Sequence, residues 1–297
     1  MSFQDFIARH EATLTAQTVR EHGICGYVSS GEFKTDRISW CIRYEIFLQA
    51  MNDFLRAFPE ATPIKGMSLI PRIYKNPALR EVTDIDLYYP YDPEPVVSYL
   101  RREGFEIDHD KWEGNDYKLN ARKKILGIDV PFEIHKKLLW TKDEPWQIGQ
   151  EDGNRTLAPE DELVYLSGHL VYQHSLLSLH WLIDIALLIQ DTKDWDENRL
   201  NNLLSRLPLK NSLSTALWCV REHFKQDLGV VLNRFILTDI KNKMIQQLIT
   251  EDFLWLTMHA KGRYYLLKHL FKDTFAEALK YDVLWIKNVL QGKREEP

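Results

Sequence analysis

The stretch 83-TDIDLYYP-90 sets two aspartates one residue apart inside what otherwise reads as a buried strand. Strand side chains alternate faces, so Asp84 and Asp86 project together to one side while Ile85 and Leu87 enter the core on the other. Two neighbouring carboxylates repel, which raises one pKa unless a cation sits between them. Magnesium, held by carboxylates together with substrate phosphates, is the usual resolution. A DxD alone also fits a solvated strand end, so the flanking sequence has to decide.

Upstream, 64-IKGMSLIPRIY-74 joins an apolar stub to Lys65 and Gly66 and then to a helical run. A strand, a glycine turn and a helix start in that order expose backbone N–H groups to phosphate. Downstream, 130-VPFEIHKKL-138 reads as a further strand whose Glu133 and His135 share a face by the same alternation. Glu133 is a candidate third carboxylate.

The rest of the chain fits an α/β lobe followed by an all-helical one. From Asp36 to Phe58 apolar residues recur every three or four positions with no internal proline or glycine, the pattern of a helix with one buried face, and Pro59 ends it. Short apolar runs at 62–66, 84–89, 104–110 and 127–138, with a helical segment near 94–103, predict a mixed sheet. After about residue 157 the segments 158–174, 179–190, 196–207 and 211–228 all read as helices, the first opened by Pro159 with acids behind it. The polar, glycine-containing segment 141–156 marks the expected boundary between residues 1–150, a helical lead-in with the α/β lobe, and residues 151–297.

At 297 residues the chain has room for two lobes. No run of about 18 apolar residues could span a bilayer, and the start of the chain lacks a basic region followed by an apolar core, so a cytoplasmic protein is expected. Cys25, Cys41 and Cys219 lie far apart without CxxC spacing, which argues against a zinc ribbon or a disulfide framework and for buried free thiols. A net charge of -5 offers no overall attraction to nucleic-acid phosphate and disfavours duplex DNA as a partner.

Taken together, Lys65, Gly66, Tyr74, Arg80, Asp84, Asp86 and Leu87, followed by Glu133, Ile134 and His135, resemble the DNA polymerase β-like nucleotidyltransferase superfamily. Within it they look most like a group of bacterial nucleotidyltransferases that carry a Lys-Gly turn. The run 166-LSGHLVYQHSLLSLHWLIDIALLI-189 matches that group's helix with two histidines and its Trp-containing helix ending in Asp-Ile, so the likeness spans about residues 40 to 190. Two departures stand out. Met67 separates the turn glycine from Ser68 where the wider superfamily has a serine directly after the glycine. Tyr88 and Tyr89 replace small aliphatics after the second aspartate, which reads as packing or base stacking.

The resemblance implies that Asp84, Asp86 and Glu133 are the catalytic and metal-holding carboxylates of a two-metal in-line attack: Asp84 and Asp86 would hold two Mg2+ ions, with Mn2+ fitting as well, and Glu133 would complete the ion nearer the attacking hydroxyl. It implies a nucleotide site of Lys65, Gly66, Ser68, Arg80 and His135. An acceptor oxygen would attack the α-phosphorus of a nucleoside triphosphate such as ATP, with pyrophosphate leaving. Lys65 and Arg80 would neutralise triphosphate oxygens, only the arginine with a bidentate fork; His135 would brace the metal site or act as a general base. The acceptor is open among a small molecule, a protein side chain and an RNA end. A different class, a catalytically inactive nucleotide- or partner-binding module such as half of a toxin-antitoxin type pair, is argued against by the three intact acids.

Two further histidine pairs invite comparison. In an α-helix His169 and His174 would point about 140° apart, which argues against a zinc pair. His180 and Asp184 have i, i+4 spacing suited to a supporting hydrogen bond. In 252-DFLWLTMHAKGRYYLLKHLF-271 the aromatics read as core, with Lys261 and Arg263 as candidate phosphate contacts.

Overall fold

The computed structural model describes residues 2–108, 118–139, 145–151, 153–176, 178–256 and 268–290. The chain divides into two compact units, Ile24–Ala158 and a second made of residues through Gly23 with those from Pro159 onward. The first two helices, α1 (Phe3–His10) and α2 (Ala16–Glu21), are thus part of the helical unit. There the Phe6 ring stacks on Trp255 at 5.2 Å and meets Phe224 edge-on at 5.3 Å.

In the α/β unit, α3 (Lys34–Ala57) buries Trp40, Tyr44, Phe47, Met51 and Phe54. Their spacing of four and three residues makes one continuous apolar stripe. Next come β1 (Thr62–Pro63), α4 (Lys65–Leu69), β2 (Ile85–Tyr88) and α5 (Glu94–Arg102). They are followed by β3 (Glu106–Ile107), β4 (Lys118–Ile125) and β5 (Ile128–His135). These five strands form one sheet in the order β1-β2-β5-β4-β3. β2 and β5 run parallel and the other neighbours antiparallel, the mixed sheet the sequence predicts. A separate hairpin joins β6 (Ile148–Glu151) to β7 (Asn154–Leu157).

One face of the sheet is apolar. Ile85 and Leu87 pair with Phe132 and Ile134, which pair in turn with Ala121 and Leu119, and all six are at most 3% exposed. Helix α3 contributes to its cover: Phe54 lies 5.5 Å from the Phe132 ring and 5.8 Å, edge-on, from Tyr99 of α5. Each such phenyl ring contributes roughly 1.5–3 kcal/mol by leaving water.

Strand β4 is not among the expected elements. Its sequence, KLNARKKI, carries four cations, and only Leu119 and Ala121 are buried. It turns into β5 through Leu126 and Gly127, both at positive φ (51° and 82°), as a two-residue hairpin of the favoured twist demands.

In the helical unit, α6 (Pro159–Ser167), α7 (Leu179–Asp191), α8 (Glu197–Arg206) and α9 (Lys210–His223) follow in the expected order. Asp161, fully buried on α6, receives both arms of the Arg199 guanidinium, with Nε at 2.8 Å. Among the described residues further helices follow, including Gly229–Asn233, Ile240–Leu248, Glu251–Leu254 and Phe275–Leu290. Among the described residues no helix is long and apolar enough to cross a membrane.

Candidate active site

The polar face of the sheet carries the candidate site. Because β2 pairs with β5 in parallel, Asp86 lies opposite Glu133 and Tyr88 opposite His135. Because β5 pairs with β4, Glu133 lies opposite Asn120 and His135 opposite Lys118. Side chains of paired residues project to the same face, so two rows cross three strands: Asp86, Glu133, Asn120 and Tyr88, His135, Lys118. Asp84, the residue preceding β2, is half-buried at the end of this face.

Asp86 is 3% exposed and its Oδ1 receives two hydrogen bonds, from Lys65 Nζ and from His135 Nε2, each at 2.8 Å. The same His135 nitrogen stands 3.6 Å from Glu133 Oε2, and Lys118 Nζ donates to Glu133 Oε1 at 3.0 Å. Burial disfavours the Asp86 carboxylate, but the Lys65 ammonium and the His135 hydrogen bond outweigh it and hold its pKa well below the usual carboxylate range. Asp84 goes the other way. Burial, then the negative charge of Asp86, push it up to about 7 against the pull of Lys65. One member of the pair therefore binds its proton near neutrality, the outcome expected of two acids in one site.

A divalent cation fits this donor set. Asp86, Glu133 and His135 each offer a ligand atom within 4.8 Å of the others; Asp84 is not part of that group, though it feels the charges of Asp86 and Glu133. Carboxylate oxygens suit magnesium, and an imidazole beside them also suits manganese.

The Lys-Gly turn sits against the same strand. Ile64 N donates to Asp86 O at 3.1 Å, so the chain entering α4 is stitched to β2. The left-handed backbone falls on Lys65 (φ 53°), a conformation uncommon outside glycine and frequent at functional sites. Gly66 is required for space: a Cβ there would meet Val82 Cγ1 at 2.8 Å and Arg80 Nη1 at 3.4 Å. Arg80, 6% exposed, thus packs directly over the turn, and its Nη1 also donates to Glu81 O.

Lys65, Gly66, Arg80, Asp84, Asp86, Glu133 and His135 therefore come together. Ser68 is 4% exposed, and its hydroxyl accepts from Arg72 Nη1 at 3.2 Å, an arginine also bridged to Glu151. Tyr89 packs edge-on against Phe58 and Tyr91, at 5.8 and 5.2 Å. Sequence reasoning missed Lys118 and Asn120. Their two-residue spacing was the available signal, hidden by the cations around it.

The helical unit corrects one geometric expectation. Residues Gly168–Gln173 form a π-helix, closed by His174 N donating to His169 O. The wider turn sets residues five apart on one side, so the His169 and His174 rings meet at 4.5 Å, with Trp181 at 4.9 and 4.8 Å from them. Among the described residues, however, the one cluster of three or more metal-ligating groups is that of Asp86, Glu133 and His135. His180 Nδ1 meets Ser178 Oγ at 2.6 Å and His22 O at 3.2 Å. Lys261 and Arg263 lie outside the described residues.

A family described as "Uncharacterised nucleotidyltransferase" matches residues 14–225. That is well over half of the 297 residues, and the chain belongs to this family. Membership implies transferase chemistry on a nucleotide. No curated protein matches the chain at a significant level.

Proposed function

We propose, with membership of that family as the premise, that the protein is a divalent-metal-dependent nucleotidyltransferase of the Lys-Gly type. It moves a nucleoside monophosphate from a nucleoside triphosphate to a hydroxyl-bearing acceptor. The observation that carries this reading is the parallel pairing of β2 with β5, which sets Asp86 directly opposite Glu133 with half-buried Asp84 at the strand's entrance.

Asp84, Asp86 and Glu133 would hold the metal, which supplies Lewis-acid charge to the phosphate oxygens when bound. Magnesium is the first choice for an oxygen donor set. Lys65, paired to Asp86 at 2.8 Å, would be free to turn toward triphosphate oxygens if a cation took its place on that carboxylate. Arg80 and the Lys65-Gly66 turn form the phosphate side of the site. His135 braces Asp86 through Nε2, and Glu133 faces the attacking end. The acceptor oxygen bonds to the α-phosphorus as the bond from that phosphorus to the β-phosphate bridging oxygen breaks. The hydroxyl proton passes to Glu133, and pyrophosphate leaves with the electron pair.

The test is calorimetric. Each of the four ribonucleoside triphosphates is titrated into the full chain with magnesium and again with chelator, beside Asp86→Asn and Glu133→Gln variants whose folding is checked by circular dichroism. Magnesium-dependent binding to at least one triphosphate, weakened at least about tenfold, or about 1.4 kcal/mol, in both folded variants, is expected. Absence of binding to all four would refute nucleotidyl transfer and favour a partner-binding module.

A further inference from the structure

The polar face of the sheet carries a row of alternating charge. Lys65 Nζ and His135 Nε2 each donate to Asp86 Oδ1 at 2.8 Å, the same imidazole nitrogen stands 3.6 Å from Glu133 Oε2, and Lys118 Nζ ends the row by donating to Glu133 Oε1 at 3.0 Å. Each carboxylate thus holds an ammonium of its own, and the two share the imidazole. Lys118 comes from β4, a strand that the resemblance to known transferases does not draw upon. Its cross-strand partner is His135, while Glu133 faces Asn120, so its side chain runs diagonally across the sheet to the carboxylate, a span within the reach of a lysine. Water reaches both groups: the side chains of Lys118 and Glu133 are 31% and 24% exposed. An ion pair this open adds little to stability, so the consequence of the contact falls on what Glu133 can bind.

Resting on the nucleotidyltransferase reading above, we propose that Lys118 gates the metal centre: its ammonium holds Glu133 against a free divalent cation and yields the carboxylate only when cation and triphosphate enter together. The charges decide this. A cation bound alone at Asp86 and Glu133 stands within a few ångströms of two ammoniums, those of Lys65 and Lys118, and like charges that close in a partly buried site repel strongly. A triphosphate alone meets the two carboxylates. When both enter, the phosphate oxygens draw the ammoniums away and free the carboxylates for the cation. Cation and triphosphate are then coupled, each tightening the other by the same factor. Lys118 acts through Glu133 and is a positioning residue, not a catalytic one.

The experiment uses the full chain and two probes. Mn2+ alone is titrated with its free concentration followed by electron paramagnetic resonance, and a non-hydrolysable analogue of the ribonucleoside triphosphate the protein binds is titrated calorimetrically with and without Mn2+. Two neutral variants, Lys118→Met and Lys118→Gln, and the charge-keeping Lys118→Arg are compared with the native chain, their folding checked by circular dichroism. With no nucleotide present, both neutral variants are expected to bind Mn2+ at least about tenfold tighter than the native protein, and Lys118→Arg no tighter than native. The gain is expected to vanish when Glu133→Gln is added to Lys118→Met. The factor by which Mn2+ tightens the analogue is expected to fall at least about tenfold in the neutral variants. An ion pair that serves the fold alone would not raise the affinity for free Mn2+. Neutral variants that bind free Mn2+ no tighter than the native chain, or that keep the full coupling factor, overturn the gate while Mn2+-dependent binding of the analogue by the native chain stays in place. A native chain without any Mn2+-dependent binding of the analogue overturns instead the reading on which the proposal rests.

Discussion

Replacing Asp84 by asparagine should stabilise the metal-free protein and at the same time abolish its response to magnesium. The first half follows from the raised pKa. A carboxyl that titrates at about 3.8 in the unfolded chain and near 7 in the folded one is protonated more readily when folded. Between those values the native state binds more protons than the unfolded state, so stability falls as pH rises from about 4 to about 7. A shift of about three units corresponds to about 4 kcal/mol lost by pH 8 as an upper bound, since each unit is about 1.4 kcal/mol. Asp84 keeps some contact with solvent, which screens the effect and brings the figure down to about 2 kcal/mol. Asparagine mimics the neutral acid and escapes this loss. In urea denaturation with chelator, the variant and the native protein should therefore coincide at pH 4, with the variant about 2–4 kcal/mol more stable at pH 8. With millimolar magnesium at pH 8 the native protein should gain stability and the variant should not, because on the proposed reading Asp84 is one of the carboxylates that would hold the ion. A variant less stable than the native chain in chelator at pH 8, or one that keeps the full magnesium response, would refute the coupling of Asp84 to Asp86 and to the metal.

Other perturbations follow from the same contacts. Lys65→Met leaves the 3% exposed Asp86 carboxylate without its ammonium and should cost about 3–5 kcal/mol in chelator, partly regained on adding magnesium; an unchanged urea midpoint would contradict the pairing. Gly66→Ala brings a methyl to within 2.8 Å of Val82 Cγ1, and about 1–3 kcal/mol of strain is expected from thermal melts, together with weaker triphosphate binding in calorimetry. Of the three thiols, Cys25 and Cys219 are buried and Cys41 is half-buried, and burial pushes the Cys219 thiol well up. A disulfide reagent should therefore modify Cys41 alone in the native protein and all three after denaturation.

Most of the α/β lobe could be read from local pattern. The stripe of Trp40, Tyr44, Phe47, Met51 and Phe54 predicts α3 to within two residues at its start and one at its end, because a helix's buried face repeats every three or four positions whatever it packs against. The alternation in 84–88 and 132–135 likewise puts Asp84 with Asp86, and Glu133 with His135, on common faces. Strand β4 escaped because five of its eight side chains are polar or charged: an open face requires no apolar alternation beyond Leu119 and Ala121. The π-helix at Gly168–Gln173 escaped for a different reason. A wide turn differs from an α-turn by one inserted residue, which leaves composition untouched while rotating His174 onto His169.

The sequence by itself determined which residues are chemically equipped, the carboxylates at alternating strand positions and the Lys-Gly turn before them, because periodicity is a property of neighbours along the chain. Tertiary structure alone decided how they meet. The parallel register of β2 on β5 crosses more than forty residues of intervening chain, and the approach of Arg80 and Val82 explains Gly66. The splitting of the two aspartates, one held ionised by Lys65 and His135 and the other raised by burial and its partner's charge, arises from distances and desolvation that appear only when the strands pair. Lys118 reaches Glu133 by the same route, through a register that no local pattern encodes.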